Sequence, residues 1–146
     1  MKTPTKTPTP FVPAGWPRVV PRIFVHDPKA LVAFVKRVFR ASGRYQDAAP
    51  TELRIGGSII LVSDADARRR MTACLYVYVE DADAAYRRAV RAGARSIEEP
   101  ALMPYGDRRG MIEDIWGNTW QIATRVPPAN DGARTRTRRR SSADKP

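Results

Sequence analysis

A chain of 146 residues that is 42% hydrophobic is long enough for one ordinary core, so a single domain is the expectation. No apolar run approaches the ~20 residues of a membrane span, and the opening MKTPTKTPTP lacks the apolar region of a secretory signal. The net charge is +11, but residues 1–15 hold +2 of it and residues 127–146 hold +4, so more than half of the excess lies in the two ends.

Those ends read as tails. TPTKTPTP is Pro/Thr repetition, and RTRTRRRSSADKP has almost no apolar side chain. Neither can bury enough surface to offset the entropy of ordering, so residues 1–15 and 127–146 are expected to be disordered. An Arg-rich tail can touch nucleic acid, but no aromatic residue interleaves with the arginines for bases to stack on, so a solubilising tail is the favoured reading. Cys74 is the only cysteine, which excludes an internal disulfide and fits a reducing cytoplasm. With one histidine besides, a zinc site of the Cys/His type is excluded within one chain.

Between the tails, the elements follow in order. A β-branched run, Val19 to Val25, meets Asp27, placed as a helix N-cap, with Pro28 at the first helical position. Leu31, Phe34, Val35, Val38 and Phe39 then repeat with helical period, and Gly43 is the expected left-handed stop. TELRIGGSIILVS, residues 51–63, reads as two strands around a Gly56-Gly57 turn. SDADARRRM, residues 63–71, reads as a linker. The pattern then recurs. Cys74 to Val79 is a strand and Asp81 an N-cap. Ala82, Ala85, Tyr86, Ala89 and Val90 form a helical stripe, and Gly93 is its stop. The second set closes on a Gly117-Asn118 turn before a strand containing Trp120, Gln121 and Ile122.

The unit is β-α-β-β-β, present twice, as module one (16–62) and module two (72–126). The fold class is α+β: two tandem modules whose helices cover one sheet face and whose other faces curl into a cup, an incomplete mixed barrel. Strand alternation sorts the side chains. Ile23, Val25, Ile60, Val62, Leu75, Val77, Val79, Trp120 and Ile122 should face the helices. Arg22, Phe24, Ile59, Leu61, Cys74, Tyr76, Tyr78 and Gln121 should face the cup. The second set mixes aromatic, cationic and amide groups, the make-up of a small-molecule pocket.

Several polar residues have duller readings. His26 lies beside a helix start and reads as a surface histidine. Glu52 and Arg54 lie two apart on one strand face, with Glu113 on the matching strand of module two, and a cross-strand ion pair accounts for them better than a general base. Cys74 reads as a small buried hydrophobe rather than an activated thiolate. Arg22 and Arg108 inside an apolar cup would each need an acidic neighbour or an acidic ligand.

VVPRIFVHDPKALVAFVKRVF, residues 19–39, and PYGDRRGMIEDIWGNTWQIAT, residues 104–124, resemble the opening and closing segments of the vicinal oxygen chelate superfamily, and the resemblance covers residues 16–125. That superfamily includes glyoxalase I, extradiol dioxygenases, fosfomycin-resistance enzymes and bleomycin-resistance binding proteins. Its enzymes take metal ligands from four strand positions, usually histidines and glutamates. The matching places here hold Val20, Leu61, Cys74 and Gln121. Two are aliphatic, one is a neutral amide and one a soft thiol that suits Mn²⁺ or Mg²⁺ poorly, so no metal and no cofactor is expected.

The expected function is therefore small-molecule binding of the bleomycin-resistance type, sequestering a drug or metabolite. Phe24, Tyr76, Tyr78, Tyr105 and Trp116 would stack on an aromatic ligand, Gln121 and Arg108 would orient it, and Arg22 and Cys74 would complete the lining. One alternative is a lyase, isomerase or dioxygenase with an unusual or dimer-completed site. Another is a nucleic-acid accessory protein using the Arg-rich tail, which the mild charge of the folded part disfavours. The resemblance also implies a homodimer, and the lack of a long apolar run implies no membrane partner.

Overall fold

The computed structural model describes residues 11–67 and 69–127. The expectations for residues 1–10 and 128–146 lie outside that range. Residues 11–15 lie within it and make contacts. Arg18 stacks over the Phe11 ring at 4.9 Å, the Trp16 amide donates to Pro13 O at 3.0 Å, and Gly15 O accepts from Arg54 at 3.4 Å.

Module one begins with β1 (Arg22–Val25) and α1 (Pro28–Phe39), followed by β2 (Thr51–Ile55) and β3 (Ser58–Asp64). The strand expected from Val19 starts only at Arg22. Pro17 and Pro21 have no N–H to give a ladder, which leaves Pro21 able only to accept from Leu61 N. Asp27 caps α1 through its side chain, accepting from Ala30 N at 3.2 Å, and Pro28 occupies the first turn. The left-handed residue at the end of α1 is Arg40, with φ 54°, rather than Gly43. Gly43 serves a different need: a Cβ there would lie 2.3 Å from Glu52 O, so β2 can pass only over a glycine.

Module two holds β4 (Cys74–Tyr78), α2 (Ala82–Arg91), β5 (Arg95–Leu102), β6 (Asp107–Glu113) and β7 (Thr119–Arg125). Asp81 caps α2, accepting from Ala84 N at 3.0 Å, and Gly93, φ 102°, follows its end as expected. The α2 stripe is narrower than its period suggested. Ala82, Ala85 and Ala89 are buried while Val90 is largely exposed.

The two sheets have the orders β1-β3-β2 and β4-β7-β6-β5. In each, the first strand of the module runs parallel to its last, β1 with β3 and β4 with β7. The repeat is thus real but unequal. Module two has its full β-α-β-β-β set. In module one the strand after the helix has shrunk to one antiparallel bridge between Ser42 and Arg54. The GRYQDAAP stretch that follows, residues 43–50, has too few β-formers to extend that bridge. β3 also runs through Asp64, into the stretch read as linker, and Met71 at the other end bridges back to Phe24.

One core joins the modules. Ile23, Val25, Ile60, Val62, Val77, Trp120 and Ile122 are buried in it with the apolar faces of α1 and α2, as alternation required. Leu75 and Val79 pack at its margin. Phe39 of α1 meets Trp120 of β7 with ring centroids 4.8 Å apart, so the first helix rests partly on the second sheet. The sheets stay open and close no barrel. Among the described residues, no helix is long and apolar enough to cross a membrane.

Candidate functional site

Register decides which side chains enter the cup. In module two, Tyr76 pairs with Gln121 and Gln121 with Met111. Directly paired residues share a face. The cup face is therefore Cys74, Tyr76 and Tyr78 on β4, Thr119, Gln121, Ala123 and Arg125 on β7, and Asp107, Arg109 and Met111 on β6.

At the centre of this face, Gln121 Oε1 accepts from Arg109 Nη1 at 2.8 Å, and Gln121 Nε2 lies 3.8 Å from Cys74 Sγ. Arg109 Nη2 pairs with Glu98 of β5. The Arg109 side chain is only 14% exposed, so this pairing offsets the cost of a cation taken out of water. Cys74 itself is exposed, not buried as expected.

A second cluster lies at the Tyr78 end. Asp107, 1% exposed, accepts on Oδ2 from Tyr76 Oη at 2.7 Å and Tyr78 Oη at 2.8 Å. Its Oδ1 lies 3.0 Å from Arg125 Nε, an ion pair rather than an aligned hydrogen bond. Tyr105 Oη approaches Tyr76 Oη at 3.4 Å, and Arg125 Nη1 donates to Tyr105 O at 2.6 Å. Two hydroxyls and a guanidinium thus contact one carboxylate, with the Tyr105 hydroxyl behind that of Tyr76. The hydrogen bond from Tyr76, followed by those from Tyr78 and the nearby Arg125 charge, holds Asp107 below the usual carboxylate range. Burial and the bond to Asp107 push the Tyr76 phenol well above its ordinary value. The bond to Asp107 does the same for Tyr78. Both tyrosines are therefore neutral, with hydroxyls committed and ring faces open: Tyr76 is 39% exposed and Tyr78 57%.

Module one supplies a separate half-cup. Phe24 is buried beneath the Arg22 guanidinium, 4.6 Å from its ring, and Arg22 Nε donates to Ser63 Oγ at 3.0 Å. Residues 47–50 line a pocket together with this pair. Between the halves runs a groove of about 460 Å³, lined by Val19, Pro21, Ile59, Leu75 and Tyr76.

Two residues expected in the cup stand elsewhere. Arg108 faces the helix layer, where its Nη2 donates to Asp83 of α2 at 2.8 Å. That acidic neighbour, more than any ligand, answers the need for a partner, and its bond with Arg108 holds Asp83 below its usual range. Trp116 packs edge-on against Phe34 of α1, ring centroids 5.7 Å apart. The cause of the Arg108 misreading is the turn. A two-residue Gly117-Asn118 turn would set Trp116 opposite Thr119 and bring Arg108 round to the face of Gln121. The turn instead spans 114–118, and Glu113 pairs with Thr119. The parity of β6 shifts by one, and Arg109 enters the cup in place of Arg108.

Asp107, Glu98 and Arg125 were missed by pattern reading. The first sits next to a glycine and reads as turn; its burial follows only from the register. The ion pair of Glu52 and Arg54, at 2.8 Å, lies within β2 rather than across strands, whereas Glu113 pairs across strands with Arg95 at 3.2 Å. His26 is exposed, 3.4 Å from Asp66. With Asp64, which also lines the module-one pocket, these three form an exposed cluster of metal-ligating types.

Solved structures of like fold are numerous. TioX from Micromonospora sp. ML1 superposes with a TM-score of 0.63 at 24% identity, over 73% of this chain and 97% of that one. A glyoxalase/bleomycin resistance protein/dioxygenase family enzyme from Burkholderia phytofirmans PsJN gives a TM-score of 0.63 at 21% identity, over 73% and 97%. These likenesses speak to the fold. An uncharacterized protein of Mycobacterium bovis is 25% identical over 132 residues, spanning 78% of this chain and 87% of its own. The family model for the Glyoxalase/Bleomycin resistance protein/Dioxygenase superfamily matches residues 15–122. With the paired modules, the open cup and that match in agreement, the chain belongs to the glyoxalase/bleomycin resistance/dioxygenase superfamily.

Proposed function

We propose that this chain is a small-molecule-binding member of the superfamily that uses no catalytic divalent metal and sequesters an uncharged, aromatic drug or metabolite. The observation that supports it is the state of Gln121. Its carbonyl oxygen is already engaged by the Arg109 guanidinium, 2.8 Å away. A divalent cation would meet a positive charge there instead of a carboxylate. The other places matched to metal ligands hold Val20, Leu61 and Cys74, and of these only a thiol can donate.

In this reading the ligand's ring lies on the open faces of Tyr76 and Tyr78, which Asp107 holds at the two hydroxyls. Gln121 supplies hydrogen bonding from the centre of the face. The protein acts as a homodimer, because the half-cups of a single chain leave Tyr76, Tyr78 and Cys74 open on one side. Metal analysis of protein purified without chelators should find no stoichiometric ion, and Mn²⁺, Ni²⁺ or Zn²⁺ should leave the melting temperature unchanged. Stoichiometric metal, or a large rise in melting temperature with one of these ions, would sink the reading. Light scattering at micromolar concentration should report a dimer.

A further inference from the structure

Gln121 is the amide side chain of the cup face, and an amide can meet a ligand with its oxygen or with its nitrogen. Arg109 decides which. A guanidinium has donors and no acceptor, so only Gln121 Oε1 can face it, and Arg109 Nη1 donates there at 2.8 Å. Arg109 is itself held. Its other terminal nitrogen, Nη2, pairs with Glu98 of β5, and the side chain is largely buried. Turning the amide over would set an NH2 group against this cation and leave a guanidinium N–H without its acceptor. The Gln121 oxygen therefore stays on Arg109, and the nitrogen faces the other way.

That nitrogen has a poor partner. Cys74 Sγ lies 3.8 Å from Nε2, the contact is exposed, and sulfur is a weak acceptor. The hydroxyls nearby are committed elsewhere. Tyr76 and Tyr78 each direct their one hydrogen to Asp107, so the hydrogen in the 3.4 Å contact between Tyr105 and Tyr76 belongs to Tyr105. Thr119 can donate or accept and does not discriminate. Gln121 stands directly opposite Tyr76 in the register of β4 and β7. A ring resting on Tyr76 thus has the Gln121 N–H at its edge.

We propose, on the reading of the cup as a site for an uncharged aromatic ligand, that the ligand is an aryl ketone. Its carbonyl oxygen accepts from Gln121 Nε2, and Arg109 is the positioning residue that keeps the amide turned that way. A compound of the same shape without the oxygen forfeits this bond.

Equilibrium dialysis of the full chain against fluorenone and fluorene tests this. The two share one ring system and differ by a carbonyl in place of a methylene. Transfer out of water favours fluorene, the more apolar of the pair, so tighter binding of the ketone reports the hydrogen bond. Fluorenone should bind about tenfold more tightly. Gln121→Glu keeps the shape and the Arg109 contact but removes both N–H donors, and should abolish the preference. Arg109→Met should abolish it as well, whereas Arg109→Lys, which still donates to the amide oxygen, should retain it. A merely structural role for Arg109 would change both affinities together and leave their ratio alone. In the unmodified chain, the Gln121 side-chain amide resonances should shift with fluorenone and not with fluorene, a result that does not depend on how any variant folds. Fluorene bound as tightly as fluorenone would overturn the proposal and leave the aromatic reading of the cup standing. So would a preference that survives Gln121→Glu, which would assign the carbonyl to Arg125. A preference that survives Arg109→Met would overturn the role given to Arg109. Binding of neither compound at its solubility limit would overturn the aromatic reading and the proposal with it.

Discussion

Trp120 and Gln121 are neighbours in sequence with opposite duties. Trp120 is fully buried, stacked on Phe39, with its indole N–H donating to Asp114 Oδ2 at 2.8 Å. Trp120→Ala should lower stability in urea unfolding by ~3–5 kcal/mol, the usual cost of emptying a buried aromatic site. Gln121→Ala should leave the unfolding midpoint nearly unchanged but weaken a cup ligand by ~1–3 kcal/mol, the cost of a buried polar group left unpaired. The reverse pattern would invert the cup assignment. Asp107 makes a separate, pH-dependent case. Its carboxyl is held below the usual range in the folded chain, so its stabilisation is complete above the unfolded value of ~3.9 and drains as pH falls through the lowered folded value. As pH falls below about 4, the unmodified chain should lose stability more steeply than Asp107→Asn. Parallel curves would mean that the tyrosine bonds contribute nothing to the carboxylate's ionisation.

At the scale of elements, the turn between β6 and β7 fixes the cup. Asp114 accepts from the Trp116 and Asn118 amides, from Asn118 Nδ2 and from Trp120 Nε1, all at 2.8–3.0 Å. Asn118, fully buried, in turn accepts the Ala73 amide at 3.0 Å and so ties the turn to the start of β4. Asp114→Ala should cost about 3 kcal/mol or more in chemical unfolding, because several buried donors lose their acceptor together. A change under 1 kcal/mol would mean that water replaces the carboxylate. The same turn marks the limit of what the sequence discloses. Helix caps, the apolar stripe of α1 and the faces of Trp120 and Gln121 follow from local pattern, since each depends on spacing within one element. The choice between Arg108 and Arg109 depends on how many residues the turn holds. Asp114 sets that number through four contacts, and none of them is visible as periodicity. Asp107 was hidden for the same reason, and Cys74 proved exposed at the start of β4, an edge strand.

For the whole molecule, composition and contacts separate the two ends of the chain. Residues 128–146 contain no aromatic or large aliphatic side chain. Their removal should leave the melting temperature unchanged in calorimetry. Extending an N-terminal deletion from residue 10 to residue 18 should lower it measurably, because that step removes the Phe11–Arg18 stack and the Gly15 acceptor of Arg54. Equal melting temperatures for the two N-terminal deletions would show that this segment only lies against the fold.

The unequal sheets give the molecule a direction of opening. Along β2, the edge opposite β3 is met by a single bridge at Ser42, whereas β6 and β7 are each flanked by strands on both sides. Amides with a partner on one side only are released by local fluctuation, before global unfolding. In native-state hydrogen–deuterium exchange, the outward amides of β2 should therefore exchange faster than the β6–β7 amides, which should exchange at the rate of global unfolding. The strands holding Asp107 and Gln121 would then be the last part of the protein to lose their shape, after the edge that module one leaves without a strand has opened.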